Sequence, residues 1–340
     1  MNPSRTLRYL AWFAVIFAFT VVVFGAFVRL SNAGLSCPDW PTCYGQIAWP
    51  KHEAEIAKAN EAFPDRPVES NKAWREQGHR FLAGGLILTT FGLTALCWRR
   101  RRELDGVVKV AFAACVMIVF QALLGMWTVT WKLKPIVVMG HLLGGMTTFA
   151  LLAYIALRIT VPAVGSPDTA KLRRMLIAGI VLLALQIALG GWTSANYAAL
   201  ACGTDFPTCL GQWWPPADFH EAFVMWRGIG VNYEGGVLDA AARTAIQLVH
   251  RLGALVVFGH FLACGIIAWR RGLKFFASPL IGALLIQISL GMFNVLLGLP
   301  LPVATAHNGG AAVLLFCALA LLVALRQSGS PTKPAPVSSR

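Results

Sequence analysis

Charge is what this 340-residue chain has least of: Asp, Glu, Lys and Arg together supply 13% of it, while 57% is hydrophobic. That is about half the charged fraction of an ordinary soluble domain, which excludes a water-soluble globular enzyme. Also missing is any small-residue cleavage site after the first apolar run, so that run reads as a retained span rather than a signal peptide. What is present in quantity is long apolar sequence. A bilayer core of roughly 30 Å takes about 20 apolar residues per helix. Eight such runs lie near 9–30, 75–98, 108–130, 136–158, 175–197, 244–269, 278–298 and 302–325.

Acidic residues are scarcer than basic ones, 15 against 29, giving a formal charge of +14. With the N-terminus inside, 17 of the basic residues, among them Arg99 to Arg102, Arg270 and Arg271, share that side with only Glu103, Asp105 and Asp168. The remaining 12 of each sign cancel. The positive-inside rule then places both termini in the cytoplasm. The basic pI therefore reads as topology and contact with anionic lipid, with no nucleic-acid partner.

The chain repeats itself. VRLSNAGLSCPDWPTCYGQ (28–46) follows the first run, and SANYAALACGTDFPTCLGQ follows the fifth; Gly25 to Cys37 and Gly190 to Cys202 each span twelve positions. EQGHRFLAGG matches QLVHRLGALV, QALLGMWTV matches QISLGMFNV, and MGHLLGG matches TAHNGGA. Four helices per copy leave both copies the same way up, related by a pseudo-twofold axis along the membrane normal. The expected fold is an all-α polytopic membrane protein of eight transmembrane helices in two tandem four-helix bundles. Its units are 1–158 and 175–326, joined by a cytoplasmic linker at 159–174 and followed by a disordered cytoplasmic tail at 327–340.

Cys37, Cys43, Cys202 and Cys209 lie in the two long external loops, where disulfides persist and four cysteines allow three pairings. Local pairs, Cys37–Cys43 and Cys202–Cys209, are expected because each closes a short proline-containing turn. Cys97, Cys115, Cys264 and Cys317 read as small apolar fillers. HEAEIAKANEAF (52–63) is expected to form a helix across the first loop, with Trp40, Trp49, Trp213 and Trp214 anchoring both loops at the interface.

The alignment places His79 opposite His250 and His141 opposite His307. A lone histidine in a membrane helix usually serves packing, and His260, opposite Thr89, is read that way. The aligned pairs differ, because each histidine lies about five residues from the outer end of its helix, roughly 8 Å deep. Two imidazoles at one depth in a four-helix bundle can grip a planar cofactor from both faces, and haem fits best. A bare metal wants three or four clustered ligands, which are not visible at that depth. Arg80 and Arg251, each directly after a histidine, are candidates for the haem propionates, although arginines there also snorkel. The copies differ at one telling place: Glu76, three residues before His79 and on its helix face, stands opposite Gln247. A carboxylate beside a cofactor can act as acid, base or charge stabiliser, which assigns chemistry to the first unit. Its structural alternative is an ion pair with Arg75 or Arg80.

These motifs together, GAFVRLSNAGLSCPDWPTCYG, EQGHR, the GH of the fourth helix, HR and AHNGG, resemble the heme A synthase family across nearly all of residues 5–326. The cysteine pair in each loop resembles its cysteine-containing bacterial branch. The resemblance implies an oxidoreductase that converts the C8 methyl of heme O to a formyl group, giving heme A for aa3-type cytochrome c oxidase. It implies substrate heme O between His79 and His141 with Glu76 as the catalytic residue, and heme b on the iron ligands His250 and His307. It also implies the bacterial plasma (inner) membrane, heme O synthase, the oxidase assembly machinery and an electron donor as partners; a homo-oligomer is compatible. The alternatives are a di-haem b-type cytochrome drawing electrons from quinol and, outside redox chemistry, a transporter.

Overall fold

The computed structural model describes residues 4–104, 106–165 and 167–326. The tail expected to be disordered lies outside the described residues. Among them are ten α-helices: α1 (Arg5–Leu30), α2 (Glu53–Ala62), α3 (Ser70–Arg99), α4 (Val107–Thr130), α5 (Pro135–Thr160), α6 (Ala170–Ala195), α7 (Phe219–Ala222), α8 (Ala240–Arg270), α9 (Lys274–Leu296) and α10 (Leu301–Ala324). Eight are long and apolar enough to cross a membrane, which makes the chain an eight-span helical membrane protein. Each of the eight expected runs is one helix, its ends displaced by at most five residues. The displacement falls on polar first turns such as Ser70, Asn71 and Lys72, which continue the helix beyond the apolar stretch that reveals it.

Local chemistry fixes several ends. Ser4 and Asp239 accept from the amides of Leu7 (3.3 Å) and Ala242 (2.8 Å), capping α1 and α8. Pro135 opens α5, where its missing N–H costs nothing. Outward residues are apolar, Leu88, Val116 and Phe275 among them, a surface suited to lipid.

The central contacts join the two copies. Helix α1 packs on α3, α5 and α10, and α5 packs on α4, α1, α6 and α10. Helices α1, α5, α6 and α10 thus form the middle, with α3–α4 and α8–α9 outside. Small residues permit the approach, as on the α1 face formed by Ala11, Ala14 and Ala18.

The two long loops fold alike. Disulfides join Cys37 to Cys43 and Cys202 to Cys209, and the other four cysteines are free and buried. Cys43 and Gln46 pair as a single bridge, as do Cys209 and Gln212. The expected helix over the first loop is α2, whose Ala59 packs with Cys37, Cys43 and Tyr44. Burial raises the Tyr44 hydroxyl to about 12. The neutral phenol is therefore the stable form, and any stability it contributes is complete below pH 10 and lost only as pH rises through about 12.

The second loop also reaches the first unit. Arg66 and Glu234 form an ion pair at 3.0 Å, and the Tyr233 amide donates to the Lys132 carbonyl at 3.1 Å. The Lys134 ammonium, 1% exposed, lies 3.3 Å from the centre of the Trp226 ring. Withdrawal from water lowers its pKa. Trp213 and Trp214 are exposed, while Lys51 lies over Trp49 at 4.4 Å.

Candidate functional site

His141 and His307 lie six residues inside α5 and α10, close to the five expected, whereas His79 and His250 lie nine and ten residues inside α3 and α8, whose polar first turns run on beyond the apolar stretch; each of the four faces the membrane-spanning helix that precedes its own. At each, the ring Cε1 would crowd the Cβ of any residue larger than glycine: it lies 2.8 Å from that position at Gly25 for His79, 3.2 Å at Gly125 for His141, 3.3 Å at Gly190 for His250 and 3.1 Å at Gly291 for His307. The four glycines come from α1, α4, α6 and α9, so one histidine–glycine contact is made four times.

His79 and His141 line a cavity of about 530 Å³ that also reaches Glu76, Gln121, Arg29, Ser194 and Asn308. Their ring centroids are 6.4 Å apart with planes at 86°. Two imidazoles sharing one metal at about 2 Å each are separated by roughly that distance between ring centres. The Nδ1 atoms of His79 and His307 are buried without a hydrogen-bond partner. Paired rings at a metal-sharing distance in a largely apolar cavity fit a macrocycle gripped from both faces.

Glu76, 4% exposed, does two things at once. Its Oε2 accepts from the Cys37 amide at 2.9 Å and the Ser36 hydroxyl at 3.1 Å, while its Oε1 accepts from Arg80 Nη2 at 2.6 Å. The ion pair considered from sequence is therefore formed with Arg80, and the carboxylate still borders the cavity; Arg75 instead lies over the Phe27 ring. Gln247, its counterpart, is buried with its Oε1 unpartnered.

Arg80 and Arg251 hold the loops. Arg80 Nη1 donates to the carbonyls of Asp39 (2.9 Å) and Thr42 (2.6 Å), and Arg251 donates to the corresponding carbonyls of Asp205 (2.8 Å) and Thr208 (2.8 Å). Each loop is thus stapled to the helix carrying a histidine. Arg80→Lys keeps the charge and loses the planar fork. Losing hydrogen bonds to a charged donor, about 1.5–3 kcal/mol, is expected to speed amide exchange at Cys43 and Gln46 at least tenfold by mass spectrometry. Unchanged exchange would remove the staple.

Other residues are placed as follows. His260 Nε2 is 2.9 Å from the Met175 carbonyl and abuts Gly179, a packing role as expected. His52, just before α2, and His220, in the short helix α7 rather than a loop as its sequence suggested, are both exposed. The glycines beside the histidines divide: Gly84 and Gly145 line the cavity, Gly85 and Gly309 face Phe17 and Val23, and Gly144 and Gly310 face glutamine side chains. Sequence reasoning missed Arg29, which donates to the Ser194 carbonyl (2.7 Å) and lies over the Tyr197 ring (4.5 Å), tying the units at the cavity wall. It also missed the glutamines, although Gln-x-x-x-Gly at 121–125, 186–190 and 287–291 was visible in the aligned copies.

Residues 8–319 match the family described as cytochrome oxidase assembly protein. The heme A synthase of Shewanella oneidensis is 41% identical over 332 residues, covering 96% of this chain and 98% of the relative. Those of Rhizorhabdus wittichii (27% identical, 94% and 93% covered) and Caulobacter vibrioides (26%, 96% and 98%) are similar along the same length.

Proposed function

The chain belongs to the heme A synthase family of cytochrome oxidase assembly proteins, and on that premise we propose how it divides the work between its two copies. The first unit, 1–158, binds heme O between His79 and His141 and oxidises its C8 methyl to a formyl group. The second, 175–326, keeps a resident heme b on His250 and His307. The observation that carries this reading is the asymmetry around similar histidine pairs: a buried carboxylate borders the first, at Glu76, where the second has Gln247.

Each residue then has a task. The glycines at 25, 125, 190 and 291 let the imidazoles approach the neighbouring helix. Glu76 presents its charge, held by Ser36, Cys37 and Arg80, to the reacting side of the substrate, where it receives a proton or stabilises positive charge. A haem iron supplies one-electron chemistry when bound. The apolar walls exclude water, and the stapled loops act as lids. Arg80 and Arg251, each directly after a histidine beneath the lids, meet the propionates by exchanging loop carbonyls for carboxylates. Supporting the orientation, with termini cytoplasmic and cysteine loops outside the plasma membrane, is the one-sided basic charge. Heme O synthase supplies the substrate; taking its methyl to a formyl group removes four electrons and adds one oxygen atom, so the reaction also takes an oxidant, and where that oxidant is molecular oxygen the electron donor serves to reduce it.

The test is chromatography with mass spectrometry of haems extracted from cells that make heme O, with and without this protein. Heme A only in its presence is expected. Heme O persisting unchanged beside a purified protein with two firmly bound haems b would favour the di-haem cytochrome. Replacing Cys37 and Cys43 together by serine is expected to cost the first lid about 2 kcal/mol on the chain-entropy account and to lower haem retention. Retention and turnover equal to the parent would remove that disulfide from the mechanism.

A further inference from the structure

The four histidines share a glycine contact, but they do not share the group beside it. One turn before the glycine, three of the four neighbouring helices carry glutamine: Gln121 for His141, Gln186 for His250 and Gln287 for His307. Three residues after each of those histidines is another glycine, Gly144, Gly253 or Gly310, and the glutamine Oε1 fills the space its Cβ would occupy. In two of the three the amide grips the histidine twice. Gln121 Nε2 is 3.0 Å from His141 Nδ1 and 2.6 Å from its carbonyl oxygen; Gln186 Nε2 is 3.1 Å from His250 Nδ1 and 2.9 Å from its carbonyl. Gln287 occupies the same notch beside His307, although His307 Nδ1, like that of His79, has no hydrogen-bond partner, so what sets His79 apart is the missing glutamine and glycine. At His79 both parts are replaced: Val21 stands where glutamine would be and Leu82 where the glycine would be, and His79 Nδ1 is buried without a partner.

A second observation points to a bound metal as the reason for the glutamines. The Oε1 atoms of Gln121, Gln186 and Gln287 are all buried without a hydrogen-bond partner, which is costly unless another state satisfies them. An imidazole that binds metal through Nε2 carries its proton on Nδ1 and needs an acceptor there, which fixes tautomer and ring direction. A shift of each amide that leaves Nε2 on the histidine carbonyl and carries the unused oxygen toward Nδ1 satisfies that proton, and the absence of a Cβ at the notch leaves room for it.

We propose that Gln121, Gln186 and Gln287 are positioning residues that hold three of the histidines toward haem iron, and that His79, lacking such a brace, is the ligand that releases. The N-terminal site is thereby the exchanging one and the C-terminal site the retaining one. The inference rests on the reading that both pairs hold haem. It adds which ligand lets go and which side chains decide it.

The experiment uses the full chain in lipid nanodiscs, loaded with haem b and mixed with excess apomyoglobin as acceptor, with transfer followed by absorbance. The parent is expected to lose haem in a fast phase, absent in His79→Ala, and a slow phase, absent in His250→Ala. Val21→Gln with Leu82→Gly adds the brace and is expected to slow the fast phase by about tenfold, the scale of a ligand's hydrogen-bond partner. Gln186→Leu, close in size and needing no backbone change, is expected to speed the slow phase about as much. A side chain that merely filled space would not slow exchange when grafted. Both phases unchanged in both variants, with two haems still bound, overturns the brace and leaves the functional reading standing. A parent in which His79→Ala changes neither haem content nor spectrum overturns that reading and the brace together.

Discussion

Heme A formation is expected to fall to roughly a hundredth or less when either His79 or His141 is replaced by alanine, while the spectrum of the haem on His250 and His307 persists. The two rings lie 6.4 Å apart across the cavity, so under the proposed binding mode removing one would leave the substrate held from a single face and free to tilt. A misplacement of about 1 Å costs on the order of a hundredfold in rate. The effect is local, because His79 and His141 lie on α3 and α5 whereas the other pair lies on α8 and α10. The measurement is heme A per mole of protein by chromatography of extracted haems, beside a reduced-minus-oxidised spectrum of the purified variant. Heme A at the parent level in His79→Ala would remove the first pair from the reaction.

Glu76→Gln is the second large effect, a loss of about 10²–10⁴ in turnover, the range for a positioned acid or base. The change is nearly isosteric, yet both carboxylate oxygens face donors, Cys37 N–H and Ser36 hydroxyl on one side and Arg80 on the other. An amide has only one acceptor oxygen, so its NH₂ must meet a donor. The variant therefore loses the charge beside the substrate and also weakens the lid, and the two losses can be told apart. Glu76→Asp keeps the charge and shortens the reach, so it should recover part of the turnover if charge is what matters. Accumulation of a partly oxidised haem in Glu76→Gln would place the carboxylate at a later step, and heme A at the parent level would sink its role.

The spans, the loops and the histidine pairs were legible because each leaves a one-dimensional trace. Apolar length marks a membrane helix; Pro-Thr-Cys-x-Gly-Gln, occurring twice, marks a duplicated loop; and the histidines align between the copies, although their distances to the helix ends, nine and ten residues against six and six, could not be counted from apolar runs alone. What could not be read depends on rotation between helices. That Gly25 faces His79 and Gly125 faces His141 requires knowing which side of α1 and α4 turns inward, and uniformly apolar helices give no such sign. Glu76 was legible as an asymmetry but not as a bond to the Cys37 amide, since its partner lies 39 positions away in a loop. Arg80 and Arg251 were noticed for their place after a histidine. Their hold on the loop carbonyls depends on how the loops fold back, which composition does not carry.

The ties among Arg66 and Glu234, Lys132 and Tyr233, and Lys134 and Trp226 have a thermodynamic meaning. Lifting the segment around Trp226 and Tyr233 strips a buried ammonium of its aromatic cover, so the free energy of opening one mouth includes a share of the other's closure. Such coupling is reciprocal: whatever stiffens one mouth stiffens the other by the same factor. The Arg66–Glu234 pair is about a third exposed, 32% and 33%, so added salt weakens that strand of the linkage first. The two loops are thus held as one linked surface, with an outer tie that is the part most sensitive to ionic strength.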